Sequence, residues 1–438
     1  MPDTLQPEKA SWSLIKKTLF RFFFIYFILY ASPWSWLDVI PGADYLIVFY
    51  DRFFEWLVIK ANANFFRVFN IKNVKQVFNG SGDTSYNWAA NYLMLVLALG
   101  GAIIWSVLDR KRKSYRQLNY VLCLFVRYTL ALVAFGYGVQ KIFALQMPFP
   151  MISQLATPLG DLLPMRFSWL FIGYSTPYEV FSGVMELLVA LLLLYKRTAT
   201  LGVLIATAVF LNVMMLNLCY DIPVKLYSMN LVLMCLYLVA NDFDRIACFF
   251  VFNKPAATCS VYHYLLVKKW MRITRIILKL AIVFFMGKGF YDTIQYAGES
   301  DKVVQHKDFK KGMYDVTQYV INKDTMPLLV TDTLRWRDVI FENNEMGSIN
   351  TRDTMFRKRY GRGYFIFDVD SLQPIINFKK TMQDTAARLS LRYQMTDSNT
   401  IRLWGKQKDD SLFIELKRSN RHFQLAEKQF HWLSEANR

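Results

Sequence analysis

The chain has 438 residues, of which 54% are hydrophobic and 16% aromatic, and a formal net charge of +18. So apolar a composition at this length argues against a soluble domain and for a membrane protein. The basic residues sit beside hydrophobic runs, where anionic lipid and topology account for them, and nucleic acid is rejected as a partner.

Charge is spread unevenly: residues 301–438 hold 24 Lys/Arg and 18 Asp/Glu, leaving 28 and 16 for residues 1–300. An apolar membrane part and a soluble C-terminal third are therefore expected. The boundaries read as 1–117 (N-terminal helices), 118–245 (a four-helix bundle), 246–300 (a cytoplasmic loop and last helix) and 301–438 (an exported β domain). The five cysteines fall in or beside the membrane part. The four histidines (His263, His306, His422, His431) are scattered, without metal-ligand spacing, so no metal is expected.

A helix needs about 20 apolar residues to cross a bilayer. On that ruler there are about seven spans: 16–36, 87–108, 118–143, 178–195, 198–218, 225–241 and 271–291. The first reads as an uncleaved anchor, because it is long, aromatic and contains Arg21. Between the first two, ADYLIVFYDRFFEWLVIK (43–60) has a helical apolar period but carries Asp44, Asp51, Arg52 and Glu55, which suits an interfacial helix. The SGDTSYN segment (81–87) after it reads as a plain loop.

Lys9, Lys16 and Lys17 precede the first span. Arg110 to Lys113 with Arg116, Lys196 with Arg197, and Arg245, Lys254, Lys268 and Lys269 fill alternate loops, whereas 146–177 holds only Arg166. With seven spans every basic loop faces one side. The expected location is a bacterial inner (cytoplasmic) membrane, with the N-terminus cytoplasmic and the C-terminal domain periplasmic.

Ionisable groups at membrane depth are costly and face a bundle interior or a cavity. Arg127 lies about 10–14 Å deep at 1.5 Å per residue, and Lys141 follows nearly four turns later on the same face, one turn beyond Tyr137. Gly136 and Gly138 permit close helix packing there. In STPYEVFSGVMELLVALLLL, Glu179 and Glu186 share a face, with Ser182 and Gly183 between them. Asn217, Asp221 and Lys225 lie in NLCYDIPVKLYS, a turn broken by Pro223. The polar core expected from depth and spacing is therefore Arg127, Tyr137, Lys141, Glu179, Glu186, Asn217, Asp221 and Lys225. Its charges balance, so an ion-pair network that only holds helices together is the competing account, Arg127–Glu186 being one such pin.

These residues also carry a resemblance. An early Arg (Arg127), the G-x-x-K of Gly138 to Lys141, and SGVMELLVALLLL with Glu186 resemble the DoxX family of four-helix membrane proteins over about residues 118–245. With its added helices, its C-terminal domain and FHWLSE (430–435), the chain is similar to a longer DoxX-type form seen in Bacteroidetes. The resemblance implies a quinone-linked oxidoreductase setting, with Arg127, Lys141 and Glu186 as the shared polar core. The added helices and β domain depart from the family's short form and put thiosulfate chemistry in doubt.

In the C-terminal third, YDVTQYVI, RWRDVIF, YFIFDV, ARLSLRYQM, TIRLWGK and LFIELKR alternate apolar and polar residues. They are split by NKDTMP, RYGRG, TDSN and QKDD. An antiparallel domain with one wet face is expected, a small sandwich or a lipocalin-like barrel. Two functions fit. One is a membrane bundle binding a quinone or other amphipathic ligand. The other is a non-enzymatic assembly or transport-associated subunit whose outer β domain contacts protein partners.

Overall fold

The structure is a computed structural model that describes residues 11–35, 42, 44–256, 269–300, 308–329, 334–370, 373–427, 431–433 and 435. The expectations placed on Lys9, Cys259, His263, Lys268, His306 and Phe430 fall outside the described residues.

In chain order the helices are α1 (Leu14–Ala31), α2 (Asp44–Ala61), α3 (Ser85–Leu108), α4 (Arg116–Ile142), α5 (Ile152–Leu155), α6 (Pro164–Tyr174), α7 (Thr176–Leu194), α8 (Ala199–Cys219), α9 (Lys225–Asn241), α10 (Phe243–Phe250) and α11 (Lys269–Ser300). The chain divides into two compact units: 1–146 with 177–293, and 147–176 with 294–438. The 147–176 segment, read from the sequence as an outer loop of the bundle, thus packs with the C-terminal domain.

Among the described residues of the first unit, four helices are long and apolar enough to cross a membrane: α3, α4, α7 and α8. This corrects the expectation of about seven. Helix α9 is also apolar but shorter, at 17 residues. Helices do form over the first and last expected spans. However, Lys16, Lys17 and Arg21 charge α1, and Arg272, Arg275, Lys279 and Lys288 charge α11. A hydrophobic run with that many cations is not the uninterrupted apolar stretch that hydrocarbon requires.

Local signals set the helix starts. Thr84 caps α3, its Oγ1 accepting from Asn87 N–H at 3.2 Å, and Ser13 caps α1 in the same way. Pro164 opens α6 at the first-turn position its fixed φ suits. One core joins Phe20, Tyr26 and Phe27 of α1 to Leu122, Val126, Leu130 and Ala134 of α4 and to Leu231, Cys235 and Leu238 of α9. The α2 helix packs Val58 and Ala61 on Tyr86, Ala89 and Leu93 of α3. Arg21, inside α1, is fully engaged: it donates to Tyr115 Oη, to Ser106 Oγ at 2.7 Å and to the Asp109 carbonyl at 3.0 Å. A buried guanidinium with a partner on each of its three nitrogens acts as a staple between α1 and the α3–α4 turn.

The second unit is built on strands β1 (Gly312–Ile321), β2 (Asp324–Thr325), β3 (Asp338–Phe341), β4 (Met346–Ile349), β5 (Arg357–Arg359), β6 (Arg362–Val369), β7 (Ile375–Lys379), β8 (Leu389–Asp397), β9 (Thr400–Gln407) and β10 (Asp410–Arg418). All pairings are antiparallel and run β1-β3-β4-β6-β7-β8-β9-β10; β1 then pairs with β10 from Tyr314↔Arg418 to Ile321↔Leu412. The sheet is therefore a closed eight-stranded up-and-down barrel, with β2 and β5 as side strands. Of the two expected arrangements it is the barrel and not the sandwich. Closure leaves no open sheet edge along the cycle. Eight strands leave an interior that side chains can just fill. Here Tyr314, Tyr319, Trp336, Phe341, Phe367 and Phe378 are the buried bulk filling it.

Candidate functional site

Two features of the first unit decide what its polar residues can do. The first is a crossing of α4 and α7 at backbone contact. A Cβ added to Gly138 would lie 2.9 Å from the Gly183 carbonyl oxygen and the Leu187 nitrogen. One added to Gly183 would lie 2.7 Å from the Gly138 carbonyl oxygen. Only glycine on both sides allows that approach. Gly136, by contrast, faces open space, so the packing role belongs to Gly138 alone. One turn beyond each glycine, Lys141 Nζ donates to Glu186 Oε1 in a buried ion pair, both side chains more than nine-tenths excluded from solvent. The glycines set the gap and the pair closes it.

The charged residues do not otherwise gather into one site. Glu186 pairs with Lys141, so the Arg127–Glu186 pin does not form. Arg127 lies fourteen residues before Lys141, about 21 Å along α4. It is buried with its guanidinium 4.9 Å from the Tyr128 ring centroid. Glu179 is fully buried in the first turn of α7. Asn217 is buried near the end of α8, its Nδ2 donating to the Val224 carbonyl at 3.5 Å. Asp221 sits at φ 51° with its side chain 79% exposed, bridging Lys225 Nζ at 2.7 Å.

The sequence reading missed the partner that fixes this turn. Asp83 caps α9 from a distant loop: its Oδ2 accepts from Lys225 N–H at 2.8 Å and its Oδ1 from Leu226 N–H at 2.9 Å. Lys225 Nζ lies 3.6 Å from the same carboxylate. Gly82 N–H also donates to the Pro223 carbonyl at 2.8 Å. Thus SGDTSYN is an N-cap supplied in trans. A carboxylate at a helix N-terminus satisfies its open N–H groups and its dipole together. An acid beside a Gly in a polar loop was the only signal, and it names no partner.

The second feature is a cavity of about 840 Å³ bounded by α1, the 76–82 loop, α3, α4 and α9. Tyr30, Tyr137 and Tyr227 contribute its aromatic wall, with the Tyr137 and Tyr227 rings 6.4 Å apart and tilted. Asn91 lines it too, and Tyr26 Oη lies 2.8 Å from Asn91 Oδ1 and 2.6 Å from Asn230 Oδ1. Tyr137 links the two features: its ring centroid lies 5.9 Å from Lys141 Nζ. Of the expected polar core, then, only Tyr137 faces this cavity. The lining residues Tyr30, Tyr227 and Asn91 were not foreseen, because single polar residues in apolar runs do not reveal which helices they will meet.

No family model matches the chain, and no solved structure matches it. The uncharacterized protein YwoB of Bacillus subtilis (strain 168) is 45% identical over 75 residues, 17% of this chain and 49% of that protein. The chain thus spans about half the length of that relative.

The cavity offers phenol hydroxyls and amides in a mainly apolar, partly open cleft. That chemistry suits a flat ligand with hydrogen-bonding groups on an apolar body, and the volume lies within the usual ligand-pocket range of roughly 300–1,000 Å³.

Proposed function

We propose that the membrane unit is a binding bundle for a quinone or similar amphipathic ligand, held in the tyrosine-walled cavity as part of an oxidoreductase system. The observation that carries this reading is the meeting of Tyr30, Tyr137 and Tyr227 around about 840 Å³. Phenol hydroxyls would donate to the ligand's carbonyls while the rings stack on its plane. The DoxX resemblance points the same way, resting on Arg127, Gly138 to Lys141, and Glu186. In this reading Lys141 and Glu186 hold α4 against α7 and so set the position of Tyr137, one turn away.

The chain resides in a membrane in this account, and its basic turns orient it. Arg110 to Lys113 join α3 to α4, and Lys196 with Arg197 join α7 to α8, which puts both turns on the cytoplasmic side. Residues 147–176 join the opposite ends of α4 and α7, so the β unit is assigned to the outer, periplasmic side.

Organic extraction of the purified protein, followed by mass spectrometry, tests the ligand. Wild type should release a quinone in near-stoichiometric amount, and Val133→Trp, which fills the cavity, should release little at unchanged abundance. Equal release from both proteins, or none from wild type, would refute the reading. A second reading, a non-enzymatic assembly or transport-associated subunit with outer protein partners, is favoured by the glycine-seated ion pair, whose geometry is that of a helix clamp.

A further inference from the structure

The second unit has a cavity of its own, about 560 Å³, built by the 147–176 segment together with β4, β5, β6 and residues 380–383. Its charge is one-sided. Arg166, Arg357, Arg359 and Lys380 line it, and none of the four enters an ion pair among the described residues. The one lining carboxylate, Glu342, is already committed: its Oε1 accepts from Ser153 N–H at 2.7 Å and Ser153 Oγ at 2.8 Å.

The cations are positioned by the fold. Tyr360 and Gly361, both at positive φ (50° and 73°), make the two-residue turn between β5 and β6. Side chains two apart on a strand share a face, so Arg357 and Arg359 face the cavity together. Arg166 Nε donates to Tyr360 Oη at 3.1 Å, and its guanidinium lies 5.7 Å from the Tyr360 ring centroid and 5.8 Å from that of Trp169. Held between two rings by one nitrogen, it keeps its terminal N–H groups for another acceptor. Tyr364 also lines the cavity, and its buried Oη has no partner. Burial raises that phenol above the ordinary tyrosine value, so at neutral pH it is a donor.

We propose that this cavity binds the phosphoryl group of an acidic amphiphile, with Arg166, Arg357, Arg359, Lys380 and Tyr364 as its donors. Four cations against one committed carboxylate leave three positive charges in excess, more than one further carboxylate would neutralise, and a phosphoryl group of about −1.5 to −2 offsets the larger part of them. Arginine's planar fork suits phosphate oxygens. Met151, Trp169 and Met346 on the lining give the ligand's apolar part a surface.

The test is isothermal titration of the full chain in detergent with three probes: dihexanoyl phosphatidic acid, dihexanoyl phosphatidylcholine and inorganic phosphate. Phosphatidic acid should bind saturably and tightest, weakening as salt rises. Arg166→Gln and the pair Arg357→Gln/Arg359→Gln should each weaken it about tenfold or more at unchanged melting temperature. Arg166→Lys, which keeps the charge but not the fork, should fall between. Phosphatidylcholine binding as tightly as phosphatidic acid, or variants binding as wild type does, would overturn the site. Inorganic phosphate binding as tightly would overturn the amphiphile and leave the free ion.

Discussion

At the scale of single residues, the informative pair is Lys141 and Glu186. Removing one partner of a buried ion pair strands the other charge, at a cost of about 3–5 kcal/mol, whereas replacing both removes the need for the pair. Lys141→Met and Glu186→Gln should therefore each lower the folded fraction sharply in a detergent melting series, and the double variant should recover much of the loss. Additive losses would show that the two side chains do not depend on each other. Gly138→Leu should be worse than either, because backbone atoms that cannot move aside already occupy the space a Cβ needs. Gly136→Leu, with open space around it, should be close to neutral by the same assay.

Among the elements, α9 is held at its start by a residue outside it. Losing a side-chain N-cap costs about 0.5–2 kcal/mol. Asp83→Ala should cost that or somewhat more, since Lys225 loses a partner as well. Hydrogen exchange should show the first turn of α9 opening first; unchanged protection there would contradict the capping role. Several elements are legible in the sequence alone. Residues 118–143, 178–195, 198–218 and 225–241 match α4, α7, α8 and α9 within two residues at each end, because long apolar runs between polar connections leave little choice. YDVTQYVI, TIRLWGK and LFIELKR each lie within one strand, as strict alternation with short polar turns requires. The short β4, β5 and β7 escaped notice, being too brief for a period to show. The three spans in excess are α1 and α11, which carry internal cations, and α9, which is short at 17 residues. Within the candidate site, depth and spacing single out Lys141 and Glu186, and the structure buries both side chains. They could not say that the two pair with each other, nor bring Tyr30 and Tyr227 to Tyr137, since those contacts join helices up to about 200 residues apart.

For the molecule as a whole, the unit boundaries make a claim about folding. The barrel shares its unit with 147–176: Ser153 Oγ donates to Glu342 and accepts from Ser348 Oγ at 2.8 Å, and Ser348 Oγ accepts in turn from Arg362 Nε at 2.9 Å. A fragment of residues 308–427 alone should leave the Glu342 carboxylate without those donors and be less stable than the same fragment fused to 147–176. Omitting satisfied hydrogen bonds to a buried charge costs roughly 1.5–3 kcal/mol. Urea denaturation of the two fragments measures the difference, and equal midpoints would show that the segment is only a passenger.

A photoreactive azidoquinone probes the tyrosine-walled cavity in the intact chain. After illumination of the full chain in membranes and peptide mapping, label should fall on peptides containing Tyr30, Tyr137 and Tyr227 and be suppressed by excess unlabelled quinone. Label confined to α7 and α8, or label that unlabelled quinone does not displace, would contradict the account.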